Sequence, residues 1–367
     1  MPILPFLLIA CASNSKDATS DSGDWVDPIQ WSIQSPGPFQ VGYQHWDPVY
    51  TDPLSGGDRQ IPLGLWYPTT DNAGEPAFYL EGLYKDESTF LNATVAEAVH
   101  TDGYPVHVYS HGDRGWGATS VNMMRFFASH GWVAIAPDHT GNTLLQSDDP
   151  RPTAHYLHRP LDIQAALNAL ESLPQSNPLS RTDTDRVLLS GHSFGAYTVW
   201  AASGANFDPD SLADHCPNLA EGSCSESEVD LFLSGALKDP RVVAGIPMAG
   251  GISRGFFGDS GHLGVTIPTL LMSGTEDNDG TAGTWDSLQG MSQLAWLELE
   301  GGCHQSFATG ICSTLDAATG FSIVNAYALA LGRQAVLGDV SQQVLDLLAG
   351  RDSISDRAHY SLAESTR

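Results

Sequence analysis

The sequence predicts an α/β fold: a mostly parallel central sheet with helices on both faces and an antiparallel hairpin at its N-terminal side. Short apolar runs of strand length recur along the chain, and amphipathic helical patterns separate several of them. Two strand-like segments joined by turn residues precede the series.

Taken in order, residues 38–46 (PFQVGYQHW) and 60–68 (QIPLGLWYP) read as strands, and the turn-rich 51–58 (TDPLSGGD) between them makes a hairpin. Residues 70–103 are polar and weakly periodic, the pattern of an insertion that packs over the core. The short, largely apolar runs at 106–110, 132–137, 186–190, 242–248, 268–273 and 294–299 look like buried strands. A helix is expected over 119–130, stopped by Gly131. A second is expected over 161–173, where Ile163, Ala166, Leu167, Leu170 and Leu173 share one face. Strands alternating with helices imply right-handed crossovers. Residues 206–240 are too long for a plain connection and read as a helical excursion. Helices at 321–338 and 340–350 close a single catalytic domain over 37–350, and 351–367 form a tail.

Charge narrows the function. The chain has 43 acidic residues against 16 basic ones, a formal charge of −27, and only three lysines. Such a field repels phosphate backbones and anionic lipid surfaces, which excludes nucleic acid as a partner. At the N-terminus, Leu8-Ile9-Ala10-Cys11 resembles the cleavage box of bacterial lipoproteins. That likeness implies a signal segment over 1–10, a lipidated Cys11, a flexible tether over 11–36, and a chain exported to the cell envelope or secreted. The run is short and no Lys or Arg precedes it, which suits a start further upstream. Four more cysteines, Cys216, Cys224, Cys303 and Cys312, admit three pairings. Their clustering favours two short disulfide loops, Cys216 with Cys224 and Cys303 with Cys312, which suits export. Neither pair has the tight ligand spacing of a zinc site.

The unusual residues fall where strands end, and ligands of open parallel sheets bind at those carboxyl ends. Gly191-His192-Ser193-Phe194-Gly195 follows the 186–190 run directly and satisfies G-x-S-x-G, a sharp strand-to-helix turn that holds its serine exposed. A serine hydroxyl needs a base, and the base needs a carboxylate to orient it. The strand over 268–273 ends in 273–280 (SGTEDNDG) and the strand over 294–299 ends in 300–307 (EGGCHQSF), which gives the order serine, acid, histidine. His304 is the candidate base. Asp277 is the favoured acid, with Asp279 and Glu276 as alternatives. The acidic cluster is a poor calcium loop, because Thr275 occupies its first ligand position.

Acyl transfer also needs two N–H groups aimed at the developing oxyanion. The Phe194 amide is one candidate. The other is the Asp113 amide in the turn 110–115 (SHGDRG), where the carboxylate must point away from the anion and Arg114 is its expected partner. His111 and His192 flank glycines in these turns and read as structural hydrogen-bonders. No metal or organic cofactor is required.

The segments VYSHGDRG, GHSFGAY, LLMSGTEDND and GGCHQSF, with IPLGLWYP ahead of them, resemble the α/β-hydrolase superfamily. Within it the chain is most similar to the platelet-activating-factor acetylhydrolases and the dienelactone-hydrolase-like esterases, over about Pro38 to Gly338. The resemblance implies a serine esterase with the triad Ser193, Asp277 and His304, acting on short-chain or acetyl esters, lipid-like ones included. Dienelactone hydrolases carry cysteine at the elbow, so Ser193 argues against that reaction. Polyester and cutin-type hydrolases are neighbouring relatives, from whose pattern Phe194 and Asp113 depart. A peptidase on the same fold and a non-catalytic surface lipoprotein are the remaining readings. Residues 70–103, 206–240 and 251–264 are expected to shape the pocket.

Overall fold

The computed structural model describes residues 27–278, 281–288 and 290–363. The expected lipidation site Cys11 and the alternative acid Asp279 lie outside the described residues. Strand β1 (Gln40–Trp46) leads into a small ribbon of β2 (Val49–Thr51) and β3 (Asp58–Gln60), and the chain returns as β4 (Leu63–Thr69). β1 and β4 pair antiparallel from Gln40 opposite Thr69 to Trp46 opposite Leu63, so the expected hairpin forms with the ribbon at its tip.

Residues 70–103 depart from expectation. They form β5 (Pro76–Tyr79) and β6 (Tyr84–Leu91), which extend the sheet beyond β1 rather than lying over it. The inward positions of β6 are polar and paired: buried Asp86 accepts from Tyr79 Oη at 2.9 Å, Thr89 Oγ1 at 2.7 Å and Arg125 at 2.8 Å. That arrangement replaces the apolar alternation that marks a strand in sequence.

The core follows as β7 (Tyr104–Ser110), α1 (Val121–Ser129), β8 (Val133–Pro137), α2 (Ala154–Glu171), β9 (Thr182–His192) and α3 (Phe194–Ser203). The excursion holds α4 (Pro209–His215) and α5 (Glu226–Leu233), and then come β10 (Val242–Met248), α6 (Arg254–Phe257), β11 (Thr269–Gly274), α7 (Thr281–Thr284) and β12 (Leu294–Leu299). Helices α8 (Ala317–Leu337) and α9 (Gln342–Leu348) precede β13 (Ala358–Leu362), which lies in the segment read as a tail and pairs antiparallel with β12.

The eleven-stranded sheet has the order β13-β12-β11-β10-β9-β7-β8-β4-β1-β6-β5. It is parallel from β8 through β12. Alternation along the strands feeds two cores: Val106, Val108, Val187 and Leu189 face α2 and α3, while Tyr109 and Leu188 face α1 and α8. The excursion packs a third apolar cluster, with Leu212, Phe232 and Phe256 against Tyr197 and Trp200 of α3. Among the described residues no helix is long and apolar enough to cross a membrane.

Helix α2 begins seven residues before the expected Leu161 because it runs through Pro160. Proline has no amide to donate, which orphans the Tyr156 carbonyl one turn earlier. The Tyr197 hydroxyl of α3 fills the gap, donating to that carbonyl at 3.0 Å.

Candidate active site

After β7 the chain adds β8 on one side and then β9 on the other, and such a reversal opens a crevice at the strand carboxyl ends. The elbow sits there. Ser193 adopts φ 56 and ψ −115, a strained conformation for a non-glycine residue, directly before α3. Its flanking glycines are sterically required: a Cβ on Gly191 would lie 2.2 Å from the Gly195 carbonyl oxygen, and one on Gly195 would lie 2.0 Å from that of Ser110. The Ser193 amide donates to the Met248 carbonyl at 2.9 Å, which ties the turn to the end of β10. The Phe194 amide is the first of α3, among the N–H groups a helix leaves without an internal partner.

The loops after β11 and β12 lock together beside it. The Glu276 amide donates to the Gly302 carbonyl at 2.9 Å and the Gly301 amide to Thr275 Oγ1 at 2.9 Å. A Cβ on Gly274 would meet the Gly302 oxygen at 2.1 Å, so the contact is backbone on backbone. This register sets His304 Nδ1 2.9 Å from Asp277 Oδ2, with the Asp277 side chain 4% exposed and that of His304 36% exposed. A carboxylate only accepts, so Nδ1 carries the proton in this contact and Nε2 is the ring's other nitrogen. Glu276, the other described alternative acid, is exposed.

His192 donates from Nε2 to the His304 carbonyl at 2.8 Å. Burial, with His304 nearby, pushes its pKa down to about 3, so it acts as a neutral prop. Cys303 pairs with Cys312 at a Cα separation of 5.4 Å, closing a loop on His304, and Cys216 pairs with Cys224 at 5.3 Å in the excursion. Both pairings are those the sequence favoured.

The turn after β7 presses against the elbow: a Cβ on Gly112 would sit 3.2 Å from the Cβ of Ser193. Asp113 is not partnered by Arg114, which lies 3.5 Å from Asp149 instead. Its carboxylate accepts from Asn142 Nδ2 at 2.8 Å and from Arg151 Nη1 at 3.1 Å. Partial burial would raise its pKa, but these hydrogen bonds overcome that and hold it below the ordinary value. Arg151 also donates to Tyr156 Oη at 2.8 Å and lies over the Phe194 ring, 4.5 Å from its centroid.

Beneath the turn is a buried polar layer. His111 accepts the His139 amide at Nε2, 2.9 Å, so its proton is on Nδ1, which donates to the Gly112 carbonyl at 2.7 Å. Burial first, then His139 and Arg159, hold His111 neutral. His139 bridges Ser110 Oγ and Asp162 Oδ2, each at 2.9 Å. Asp162 also takes two hydrogen bonds from Arg59 and one from Tyr50. Fully buried Arg159 donates to the carbonyls of His111 at 2.6 Å and Gly112 at 3.0 Å, and to Asn142 Oδ1 at 2.5 Å.

Ser193, His304, Phe194 and Asp113 all line one cleft of about 440 Å³, walled by Tyr156 and Ile252. Hollows of about 540 and 600 Å³ near Pro28 and Val99 contain none of these groups. The structure thus brings the four lining residues together with Asp277 behind His304, and it adds Asn142, Arg151 and Arg159, which the sequence did not single out. Pro160 hid Arg159, because a proline reads as a helix boundary and left the arginine in an expected loop.

No protein-family description matches the chain, and no curated protein matches it in sequence. Among solved structures it is similar to a ferulic acid esterase from Streptomyces cinnamoneus, with a TM-score of 0.56 and 20% identity over 85% of this chain and 95% of that one. At that identity the likeness speaks to architecture, and together with the strand order it shows that the chain has the α/β-hydrolase fold.

Proposed function

We propose that the protein is a carboxylic-ester hydrolase working through an acyl-enzyme on Ser193. The observation that carries this reading is the His304–Asp277 hydrogen bond opening onto the same cleft as a strained, half-buried Ser193. His304 Nε2 takes the Ser193 proton as Oγ bonds to the ester carbon, and the carbonyl electrons move to oxygen. The Phe194 and Asp113 amides hold that oxyanion. When the tetrahedral species collapses, the alcohol leaves with the proton from His304. Water, deprotonated by the same imidazole, then releases the acid and restores Ser193. Asp277 keeps the imidazole oriented and stabilises its charged form.

Short-chain or acetyl esters, lipid-like ones included, suit an open cleft of this size. A second reading, an aromatic acyl group, is favoured by the Tyr156, Phe194 and Tyr197 rings lining the cleft and by the ferulic acid esterase named above. Two disulfides suit an oxidising compartment and hence an exported enzyme.

The test is hydrolysis of p-nitrophenyl esters from acetate to palmitate, with a p-nitrophenyl cinnamate arm. Ser193→Ala is expected to lower kcat at least about 1,000-fold. Turnover that survives the substitution would remove Ser193 from the mechanism. A wild type inert to every ester but active on amides would make the chain a peptidase, and one inert to both would make it a binding protein.

A further inference from the structure

Arg159 is a costly residue to bury. It is fully enclosed in α2, its Nε makes no hydrogen bond, and the hydrogen bonds it does make go to neutral oxygens of His111, Gly112, Asn142 and Ser110. A buried guanidinium ordinarily demands a paired carboxylate. Burial pulls its pKa down to about 9, which still leaves it charged at neutral pH. Its position connects both groups assigned above to the oxyanion. The guanidinium carbon lies 4.1 Å from the centroid of the Phe194 ring, and two of its N–H groups grip the carbonyls of His111 and Gly112.

The Gly112 carbonyl and the Asp113 amide belong to one planar, conjugated peptide unit. That carbonyl accepts three times, from Arg159 Nη2 at 3.0 Å, from His111 Nδ1 at 2.7 Å and from the Gly115 amide at 3.1 Å, and Arg159 is the charged donor among them. A charged donor on the oxygen draws electron density along the unit and makes the N–H at its far end a stronger donor, as in any chain of hydrogen bonds. Asn142 extends the linkage: its Oδ1 accepts from Arg159 while its Nδ2 holds the Asp113 carboxylate.

Resting on the ester-hydrolase reading, we infer that Arg159 is a positioning residue for the oxyanion site: it fixes the 111–113 turn, polarises the peptide that presents the Asp113 amide, and places a positive charge against the Phe194 ring. Its effect grows as negative charge develops, so it lowers the barrier more than it aids ground-state binding. An arginine that merely braced the turn would do neither selectively.

The experiment compares wild type, Arg159→Met and Arg159→Lys on p-nitrophenyl acetate. It also measures the affinity of butaneboronic acid, which adds to the serine as an anionic tetrahedral adduct. In Arg159→Met, kcat is expected to fall about 10- to 100-fold with KM within about threefold, and boronate affinity to weaken in step with kcat/KM. Arg159→Lys keeps the charge but cannot grip two carbonyls and Asn142 together, so a loss of about 3- to 10-fold in kcat is expected at unchanged KM. This second variant decides the matter if Arg159→Met does not fold. A folded variant with wild-type kcat, or one in which KM rises while kcat and boronate affinity stay put, would overturn the assignment. Ser193→Ala runs alongside: turnover retained there removes Ser193 and with it the acyl-enzyme reading, whereas turnover lost there with wild-type kcat in Arg159→Met sinks only the role of the arginine.

Discussion

Single residues in this protein are held in states they would not choose in water, and the cost is visible in their surroundings. Asp138, just after β8, is half-buried and accepts a hydrogen bond from the Gly117 amide at 2.5 Å. Burial raises its pKa from 3.8 to about 6, against smaller opposing effects of that amide and His45. The folded state therefore binds the proton more tightly than the unfolded chain. Stability gained below pH 3.8 is lost as the pH rises through 6, and above that the ionised carboxylate weakens the fold. Asp138→Asn keeps the acceptor for Gly117 and cannot ionise. It is expected to stabilise the protein at pH 8 by on the order of 1–3 kcal/mol and to give no gain at pH 3.5. Urea midpoints at the two pH values check this, and an equal effect at both would refute the assignment of a desolvated, ionising Asp138.

At the scale of elements, the site depends on loops that short covalent and backbone ties hold in register. The Cys303–Cys312 loop carries His304, while Cys216–Cys224 staples the excursion away from the reacting groups. Each closes a loop of similar length, separations of 9 and 8, so each is expected to contribute about 2–3 kcal/mol to stability. Their effects on activity should differ. Replacing Cys303 and Cys312 by serine is expected to lower kcat about 10-fold or more by loosening His304, whereas the Cys216 and Cys224 pair should change it less than about threefold. Ester turnover at 15 °C, where both variants remain folded, separates them, and equal losses would show that the His304 loop is held by its backbone contacts alone.

The elements also show which signals a sequence carries. The strands at 242–248 and 294–299 were legible to the residue, because each is a short, largely apolar run of strand length. β6 was not, since its buried positions are polar and satisfied by one another and by Arg125 of α1, a pairing that only tertiary structure creates. The first two turns of α2 were hidden by Pro160, whose missing hydrogen bond is made good from α3. The groups expected to touch substrate stood out, since each sits in a turn at a strand end with a motif around it. Arg151 and Arg159 carry no motif; their roles come from a fold that brings α2 under the turn after β7.

Over the whole molecule, parallel strands deliver the loops of β7, β9, β11 and β12 to one edge, and the switch of strand order beside β7 opens the cleft between them. Within a chain of formal charge −27, that edge concentrates two guanidiniums at Phe194, one exposed to the cleft and one buried beneath it. Fixed positive groups beside the elbow are what a site that stabilises a developing anion requires. The central claim is that this edge activates Ser193, and covalent capture tests it without knowledge of the natural ester. Incubation with a fluorophosphonate, followed by intact-mass and peptide analysis, is expected to give one adduct per chain on Ser193, with labelling slowed at least about 100-fold in His304→Ala. A chain that remains unmodified, or one labelled elsewhere at the same rate with and without His304, would contradict the account.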